Sequence, residues 1–126
     1  MLSKILLVDD EPKEFFKEAI EMEGLGLVLL ADNGEEALEV IQKENPQLMV
    51  LNLRMPKMGG EELLEILKER ELLNSLSVII WTGWDDCGIT QSRIRSNFSI
   101  KYYLDKPVDL FDLLDKIKFA LNKYSE

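Results

Sequence analysis

Short apolar runs recur along this chain, and polar or turn-forming residues follow each of them. The runs cover residues 5–8, 27–31, 48–51, 78–81 and 102–104. Each run is short and rich in aliphatic or aromatic side chains, which is typical of strands that are buried on both faces of a sheet. The pattern therefore predicts a strand at each run.

Between the runs, apolar residues recur at helical spacing, and these positions predict the buried faces of helices. The positions are Phe15, Phe16, Ala19, Ile20 and Met22, then Ala37, Leu38 and Ile41, then Leu63, Leu64 and Leu67, and finally Leu110, Leu113, Leu114, Ile117 and Leu121. Asp109 is the expected N-cap of the last helix. Residues 82–97 hold few helix formers and include Gly88, and we assign a further helix there. Alternating strands and helices predict an open parallel sheet with helices on both faces.

Composition narrows the class of protein. With 126 residues the chain fits one domain, taken as residues 1–126. Its net charge of −9 argues against direct binding of nucleic acid. The absence of His excludes catalysis or phosphorylation on histidine within this chain. No apolar run is long enough to span a membrane, and the single Cys87 fits a reducing cytoplasm, where we expect the protein.

Polar side chains stand where the predicted strands end. They are Asp9 and Asp10 after the first strand, Asn52 at the third, Thr82 at the fourth and Lys106 after the fifth. In open parallel sheets ligands bind beyond the carboxyl ends of the strands, so these residues are expected to share one crevice. Paired carboxylates suit Mg²⁺, and a hydroxyl with an ammonium suits the oxygens of a phosphoryl group. Taken singly, each residue also fits a helix cap, a turn or a solvated charge.

The stretches ILLVDDEP, LNLRMPKMGG, IIWTGW and YYLDKP resemble the receiver domain of two-component response regulators, and the resemblance extends over nearly the whole chain. It implies a flavodoxin-like three-layer α/β fold, with a five-stranded parallel sheet of order 2-1-3-4-5 and five helices. It also implies phosphorelay signalling by a module that regulates output through protein contacts and is not itself an enzyme.

The resemblance assigns roles to individual residues. Asp9 and Asp10 would hold Mg²⁺ together with the backbone carbonyl of Arg54, and Thr82 and Lys106 would contact the phosphoryl oxygens. Tyr103 would be the switch aromatic, with Thr82 as its partner in switching. The Lys106-Pro107 bond would be cis, and Gly60 would match the loop glycine of the family.

Asn52 stands where the family carries its phosphoacceptor Asp. An amide is neutral and weakly nucleophilic, so phosphorylation at this position is not expected. The crevice keeps two carboxylates instead of three, which predicts weakened Mg²⁺ binding. The amide is expected to hydrogen-bond Lys106 or Thr82.

Other interpretations stay open. The Asn is either natural, giving a receiver that works without phosphorylation, or an engineered replacement in an ordinary phosphoacceptor receiver. A third hypothesis is an Mg²⁺-dependent phosphatase or phosphotransferase with Asp9 as nucleophile. The chain also departs from the family at Ser96, Asn97, Phe98 and Ser99, where a small-residue pair is usual before the fifth strand.

The partners implied by the resemblance are a sensor histidine kinase or other signalling proteins. A homodimer could form through the face made by the fourth helix, fifth strand and fifth helix. On a helical wheel Phe119 lies opposite the apolar stripe of the last helix, beside Asp112, Asp115, Lys116 and Lys123. We therefore expect Phe119 to be exposed and to serve as an interface anchor.

Overall fold

Strands and helices alternate along the chain in the computed structural model, which describes residues 3–83 and 87–122. The strands are β1 (Lys4–Val8), β2 (Leu27–Ala31), β3 (Leu48–Leu51), β4 (Ser77–Thr82) and β5 (Tyr102–Asp105). The helices are α1 (Glu14–Met22), α2 (Gly34–Glu44), α3 (Gly60–Glu69), α4 (Ile89–Asn97) and α5 (Leu110–Ala120). The predicted order of strands and helices is confirmed, and α4 lies within residues 82–97, where a helix was assigned.

All neighbouring strands pair in parallel, and the sheet order is β2-β1-β3-β4-β5. This is the predicted order 2-1-3-4-5. Parallel pairing brings the carboxyl ends of β1, β3, β4 and β5 to the same edge of the sheet. The polar residues that follow these strands therefore lie near one another.

The sheet separates two apolar clusters, which makes the fold a three-layer one. One cluster joins β-strand residues such as Leu6 and Met49 to Leu64 of α3 and Ile94 of α4. The other joins the opposite faces of the strands to α1 and α5, and includes Ile20, Leu113 and Ile117. Side chains in β1, β3 and β4 are thus buried on both faces, which explains their nearly continuous apolar sequence.

Side-chain caps fix the beginnings of two helices. Asn33 accepts a hydrogen bond from the backbone N–H of Glu36 at the start of α2. Asp109 accepts one from the N–H of Asp112 at the start of α5, which confirms the predicted cap. Each cap satisfies a backbone donor that the helix leaves without a partner and stabilises the helix by about 1 kcal/mol.

Helix α4 has a short buried face and several polar contacts with α3. Only Thr90 and Ile94 are buried along it. The guanidinium of Arg93 donates two hydrogen bonds of 2.7 Å to the carboxylate of Glu61 in α3. Lys68 of α3 donates to the carbonyl of Asn97 at 2.9 Å. These contacts with α3 explain how a segment with a weak apolar pattern still packs as a helix.

The prediction of a buried apolar face on α1 is wrong for Phe15 and Met22. Phe15 and Met22 are largely exposed, whereas Ile20 is buried and Phe16 packs edge-on against Trp81 at 5.3 Å between ring centroids. The helix has nine residues and presents one face to the sheet, so apolar residues on its other face remain in solvent. None of the helices within the described residues is long and apolar enough to cross a membrane.

Candidate functional site

The candidate site lies where β1, β3, β4 and β5 end. Asp9 directly follows β1, and Thr82 is the last residue of β4. Lys106 directly follows β5 and its backbone N–H donates to the carbonyl of Thr82 at 2.9 Å. The N–H of Asn52 donates to the carbonyl of Val8 at 3.0 Å, which ties the end of β3 to the end of β1. The sheet itself therefore brings the predicted side chains together.

Asn52 is nearly buried, with 6% of its surface exposed. Its amide nitrogen donates to the backbone carbonyl of Arg54 at 2.9 Å and to Oδ1 of Asp9 at 3.3 Å. Of the two expected partners, Lys106 is wrong, because its ammonium donates to the carboxylates of Asp9 and Glu11 instead. A charged donor gains more from a carboxylate than from a neutral amide.

Lys106 forms the electrostatic centre of the site. Its ammonium contacts Oδ2 of Asp9 at 2.5 Å and Oε1 of Glu11 at 2.8 Å. Desolvation opposes the charged form, yet the hydrogen bonds that the ammonium donates to Asp9 and Glu11 raise the pKa of Lys106 overall. The hydrogen bond from Lys106 lowers the pKa of the exposed Glu11. The ammonium also lies 5.9 Å from the ring centroid of Trp81.

A crevice of about 220 Å³ opens between these strand ends. It is lined by Asp10, Glu11, Asn52, Arg54, Thr82, Gly83 and Lys106. Asp10 is exposed at its rim, whereas the neighbouring Asp9 is buried. The two acids predicted as a metal-binding pair therefore differ: one is engaged inside the protein and the other faces solvent.

The two predicted switch residues lie on neighbouring strands. Thr82 is buried at the end of β4, and Tyr103 is partly buried in β5, paired in register with Ile80. The guanidinium carbon of Arg95 in α4 lies 5.3 Å from the centroid of the Tyr103 ring, a cation–π distance. Tyr103 therefore links β5 to α4.

The loop after β3 requires glycine next to the site. A Cβ atom on Gly60 would lie 2.6 Å from the carbonyl oxygen of Asn52, closer than such atoms approach. The N–H of Gly60 also donates to the carbonyl of Leu53 at 3.0 Å. Gly60, which was matched to a family loop glycine, thus allows the start of α3 to pack against the backbone of Asn52.

Sequence reasoning missed two residues of the site. No role was predicted for Glu11 from the sequence, although its carboxylate accepts a hydrogen bond of 2.8 Å from the Lys106 ammonium. Trp81 was interpreted as a strand residue, although its indole N–H donates to the carbonyl of Val8 at 3.3 Å beneath the site. The available signal for Glu11 was the run of three acids, Asp9, Asp10 and Glu11, at the same sheet edge as Lys106.

The residues present do not fit a bound magnesium ion. Within residues 3–83 and 87–122, no cluster of three or more Asp, Glu, His or Cys side chains could hold a metal. Oxygens that such an ion would use, on Asp9 and on the carbonyl of Arg54, already accept N–H donors from Asn52 and Lys106. The Lys106-Pro107 peptide bond is cis, as expected from the resemblance.

Comparison with known proteins places this geometry in a family. Residues 5–118 match the response regulator receiver domain. The chain is 32% identical over 127 residues to sporulation initiation phosphotransferase F of Bacillus subtilis, covering 98% of this chain and 94% of that protein. It is also 32% identical to the probable C4-dicarboxylate response regulator DctR of Bacillus subtilis, covering 98% of this chain but 52% of that protein.

A solved structure gives the same result. A CheY-like response regulator receiver domain protein from Methanospirillum hungatei JF-1 superposes with a TM-score of 0.86 and 34% identity, covering 98% of this chain and 96% of that one. Its fold and the strand order found here agree. The chain therefore belongs to the response regulator receiver domain family of two-component signal transduction.

Proposed function

We propose that this receiver works without phosphorylation at position 52 and regulates its output through protein contacts. A phosphoryl acceptor needs a nucleophilic oxygen, as in the carboxylate of Asp, and the amide of Asn52 is neutral with its nitrogen lone pair delocalised. Lys106 and Thr82 remain beside it at the strand ends, and both would suit phosphoryl oxygens. The nucleophile is the missing part.

The observation that carries this proposal is the direction of the Asn52 amide. Its N–H groups point to Asp9 and to the Arg54 carbonyl, so the amide serves as a hydrogen-bond donor inside the site. A donor of this kind stabilises one arrangement of the acidic residues. We infer that the site acts as a fixed structural element in a signalling module.

The test is exposure to acetyl phosphate and Mg²⁺ followed by intact-mass measurement. The unmodified chain should gain no phosphoryl group, and Asn52→Asp should gain one because Lys106 and Thr82 are already placed. Asn52→Ala is the matched control, since its side chain has no oxygen that could accept a phosphoryl group. A gain of one phosphoryl group by the unmodified chain that survives substitution of Asp9 and Asp10 would contradict the proposal.

A second candidate is an ordinary phosphoacceptor receiver in which Asp was replaced by Asn52. The presence of Asp9, Thr82 and Lys106 favours it, because these residues would be expected to change once phosphorylation was lost. Rapid labelling of Asn52→Asp fits both candidates. The codon for residue 52 in the source gene separates them.

An enzyme that uses Asp9 as nucleophile is a weaker alternative. Both carboxylate oxygens of Asp9 already accept hydrogen bonds, including that from the Lys106 ammonium, which lowers their nucleophilicity. We expect no turnover of p-nitrophenyl phosphate with Mg²⁺. Hydrolysis that is abolished by Asp9→Asn would support the enzyme instead.

We further propose that Phe119 anchors a contact with a second copy or with a signalling partner. Phe119 is 48% exposed on α5, and Asp112 and Lys116 form a salt bridge of 2.7 Å beside it. Lys116 also lies 5.5 Å from the ring of Tyr102, so this side of α5 adjoins β5. Lys123, which was expected on the same rim, lies outside the described residues. An apolar side chain with a charged rim is the usual anatomy of an interface anchor.

Phe119→Asp should lower the solution mass or abolish capture of a partner, with little change in melting temperature. Phe111→Asp is the matched control, because Phe111 is 74% exposed on the same helix but lies farther from the β5 side. If the unmodified chain and both variants have the same mass in light scattering and capture the same partner in pull-down, Phe119 is an exposed residue without an interface role.

A sensor histidine kinase or another signalling protein is the partner class that we expect, in the cytoplasm. The net charge of −9 supports a role without direct nucleic-acid binding by this domain. We expect any DNA contact to belong to another domain or protein.

A further inference from the structure

We propose that Asn52 and Lys106 together replace a divalent cation in this site, so that the acidic crevice keeps its shape without metal and resists metal binding. This inference deepens the proposed function, since it concerns the same residues. It makes a separate statement, because metal binding can be measured with no phosphoryl donor present.

The first support is the set of donors around Asp9. Its Oδ1 atom accepts hydrogen bonds from the Glu11 N–H at 3.0 Å and from the Asn52 amide at 3.3 Å. Its Oδ2 atom accepts one from the Lys106 ammonium at 2.5 Å. A carboxylate offers about four acceptor positions, and three are filled. The buried acid therefore has its negative charge compensated by the protein itself.

The second support is the carbonyl of Arg54. It accepts the shorter of the two hydrogen bonds from the Asn52 amide, at 2.9 Å. One NH₂ group thus bridges a carboxylate and a backbone carbonyl, which are both oxygens of the kind that Mg²⁺ prefers. The NH₂ group donates hydrogen bonds to the same two oxygens whose electron pairs a bound cation would accept. It can therefore take the place of the cation between them.

The third support is the charge of the site. Asp9 and Glu11 share one ammonium, and Asp10 at the rim is the remaining acid with no ion pair among the described residues. A carboxylate at position 52 would add a further negative charge against Asp9, which would require a cation nearby. The amide removes that requirement. A metal that entered would have to break both hydrogen bonds of the amide.

These contacts set the expected size of the effect. Each broken hydrogen bond weakens binding by roughly tenfold, so the amide should weaken Mg²⁺ binding by about a hundredfold. The single exposed carboxylate of Asp10 cannot compensate, because Mg²⁺ keeps its waters unless several oxygens replace them.

The experiment is calorimetric titration of the metal-free protein with Mg²⁺, repeated with Mn²⁺ and electron paramagnetic resonance as a second readout. Three proteins are compared: the unmodified chain, Asn52→Asp and Asn52→Ala. Asn52→Ala is the decisive variant, because it has the same charge as the unmodified chain but lacks the amide donors. Circular dichroism and urea midpoints verify that all three are folded.

We expect Asn52→Ala to bind Mg²⁺ about a hundredfold more tightly than the unmodified chain, and Asn52→Asp to bind most tightly. Equal binding by Asn52→Ala and the unmodified chain would overturn the inference, because the missing charge alone would then explain weak binding. Tight Mg²⁺ binding by the unmodified chain would also overturn the inference. The proposed function would still stand, because phosphorylation at residue 52 is tested separately by mass measurement.

Discussion

Replacement of Asn52 by Asp should destabilise the metal-free protein, although the two side chains have nearly the same shape. Asn52 and Asp9 are both almost fully buried, and the amide nitrogen of Asn52 lies 3.3 Å from Oδ1 of Asp9. The substitution turns an attractive N–H···O contact into a contact between two carboxylates. It also removes the donor to the Arg54 carbonyl.

The magnitude follows from these contacts. Two like charges about 4 Å apart repel by about 4 kcal/mol at an effective dielectric constant of about 20. The lost hydrogen bond adds about 1 kcal/mol. The Lys106 ammonium, 2.5 Å from Asp9, offsets part of the repulsion. We therefore expect a net loss of about 3 kcal/mol, or roughly 10 °C in melting temperature for a domain of this size.

Urea denaturation in EDTA measures this loss as a lower midpoint with an unchanged slope. Mg²⁺ at millimolar concentration should restore much of the stability of Asn52→Asp and leave the unmodified chain nearly unchanged. Asn52→Ala controls for the lost hydrogen bonds and should lose only about 1 to 2 kcal/mol. If Asn52→Asp were as stable as the unmodified chain in EDTA, the electrostatic reasoning for the site would be refuted.

Three further predictions concern the surrounding fold. Glu61→Gln should weaken the contact between α3 and α4 and speed amide exchange in α4. Because the hydrogen bonds from Arg93 lower the pKa of Glu61, this ion pair stabilises the fold above the ordinary pKa of 4.5, and the stabilisation is lost as pH falls through the lowered pKa. The free energy of unfolding of the variant should therefore depend less on pH in the acid range. Gly60→Ala should cost about 1 to 3 kcal/mol, because the new Cβ would lie 2.6 Å from the Asn52 carbonyl oxygen, and an unchanged urea midpoint would contradict this. Asp109→Ala should lower the free energy of unfolding by about 1 kcal/mol through loss of the α5 cap, whereas Asp109→Ser should retain most of it.

The sheet could be predicted from the sequence because its strands are buried on both faces. The runs at residues 27–31 and 48–51 coincide with β2 and β3, and the other strands differ by one residue at an end or at both ends. Burial of both faces makes each strand a continuous apolar run, which needs no periodicity to be seen. The polar residues after the runs then indicated which edge of the sheet carries the site.

Long-range polar contacts could not be predicted in the same way. Arg93 and Glu61 are 32 positions apart, and Lys106 and Glu11 are 95 positions apart. Nothing local distinguishes these charged residues from solvated ones. For the same reason Lys106 was wrongly predicted as one possible partner of Asn52, since two acids compete with the amide for its ammonium.

Side-chain exposure was predictable only where a helix had a wide apolar stripe. The stripe of α5 placed Phe119 outward, and the structure confirms that exposure. In α1 the apolar residues surround more of the helix, so spacing alone did not separate the buried Ile20 from the exposed Phe15 and Met22.

The most direct test of the central claim is whether a phosphoryl analogue changes the conformation of the unmodified chain. Backbone hydrogen exchange would be measured with and without Mg²⁺ and beryllium fluoride, in peptides that contain Thr82 and Tyr103. The account predicts no change for the unmodified chain and a clear change for Asn52→Asp, in which a carboxylate can bind the analogue. A similar change in both proteins would contradict the claim that the state of this receiver is independent of phosphorylation at position 52.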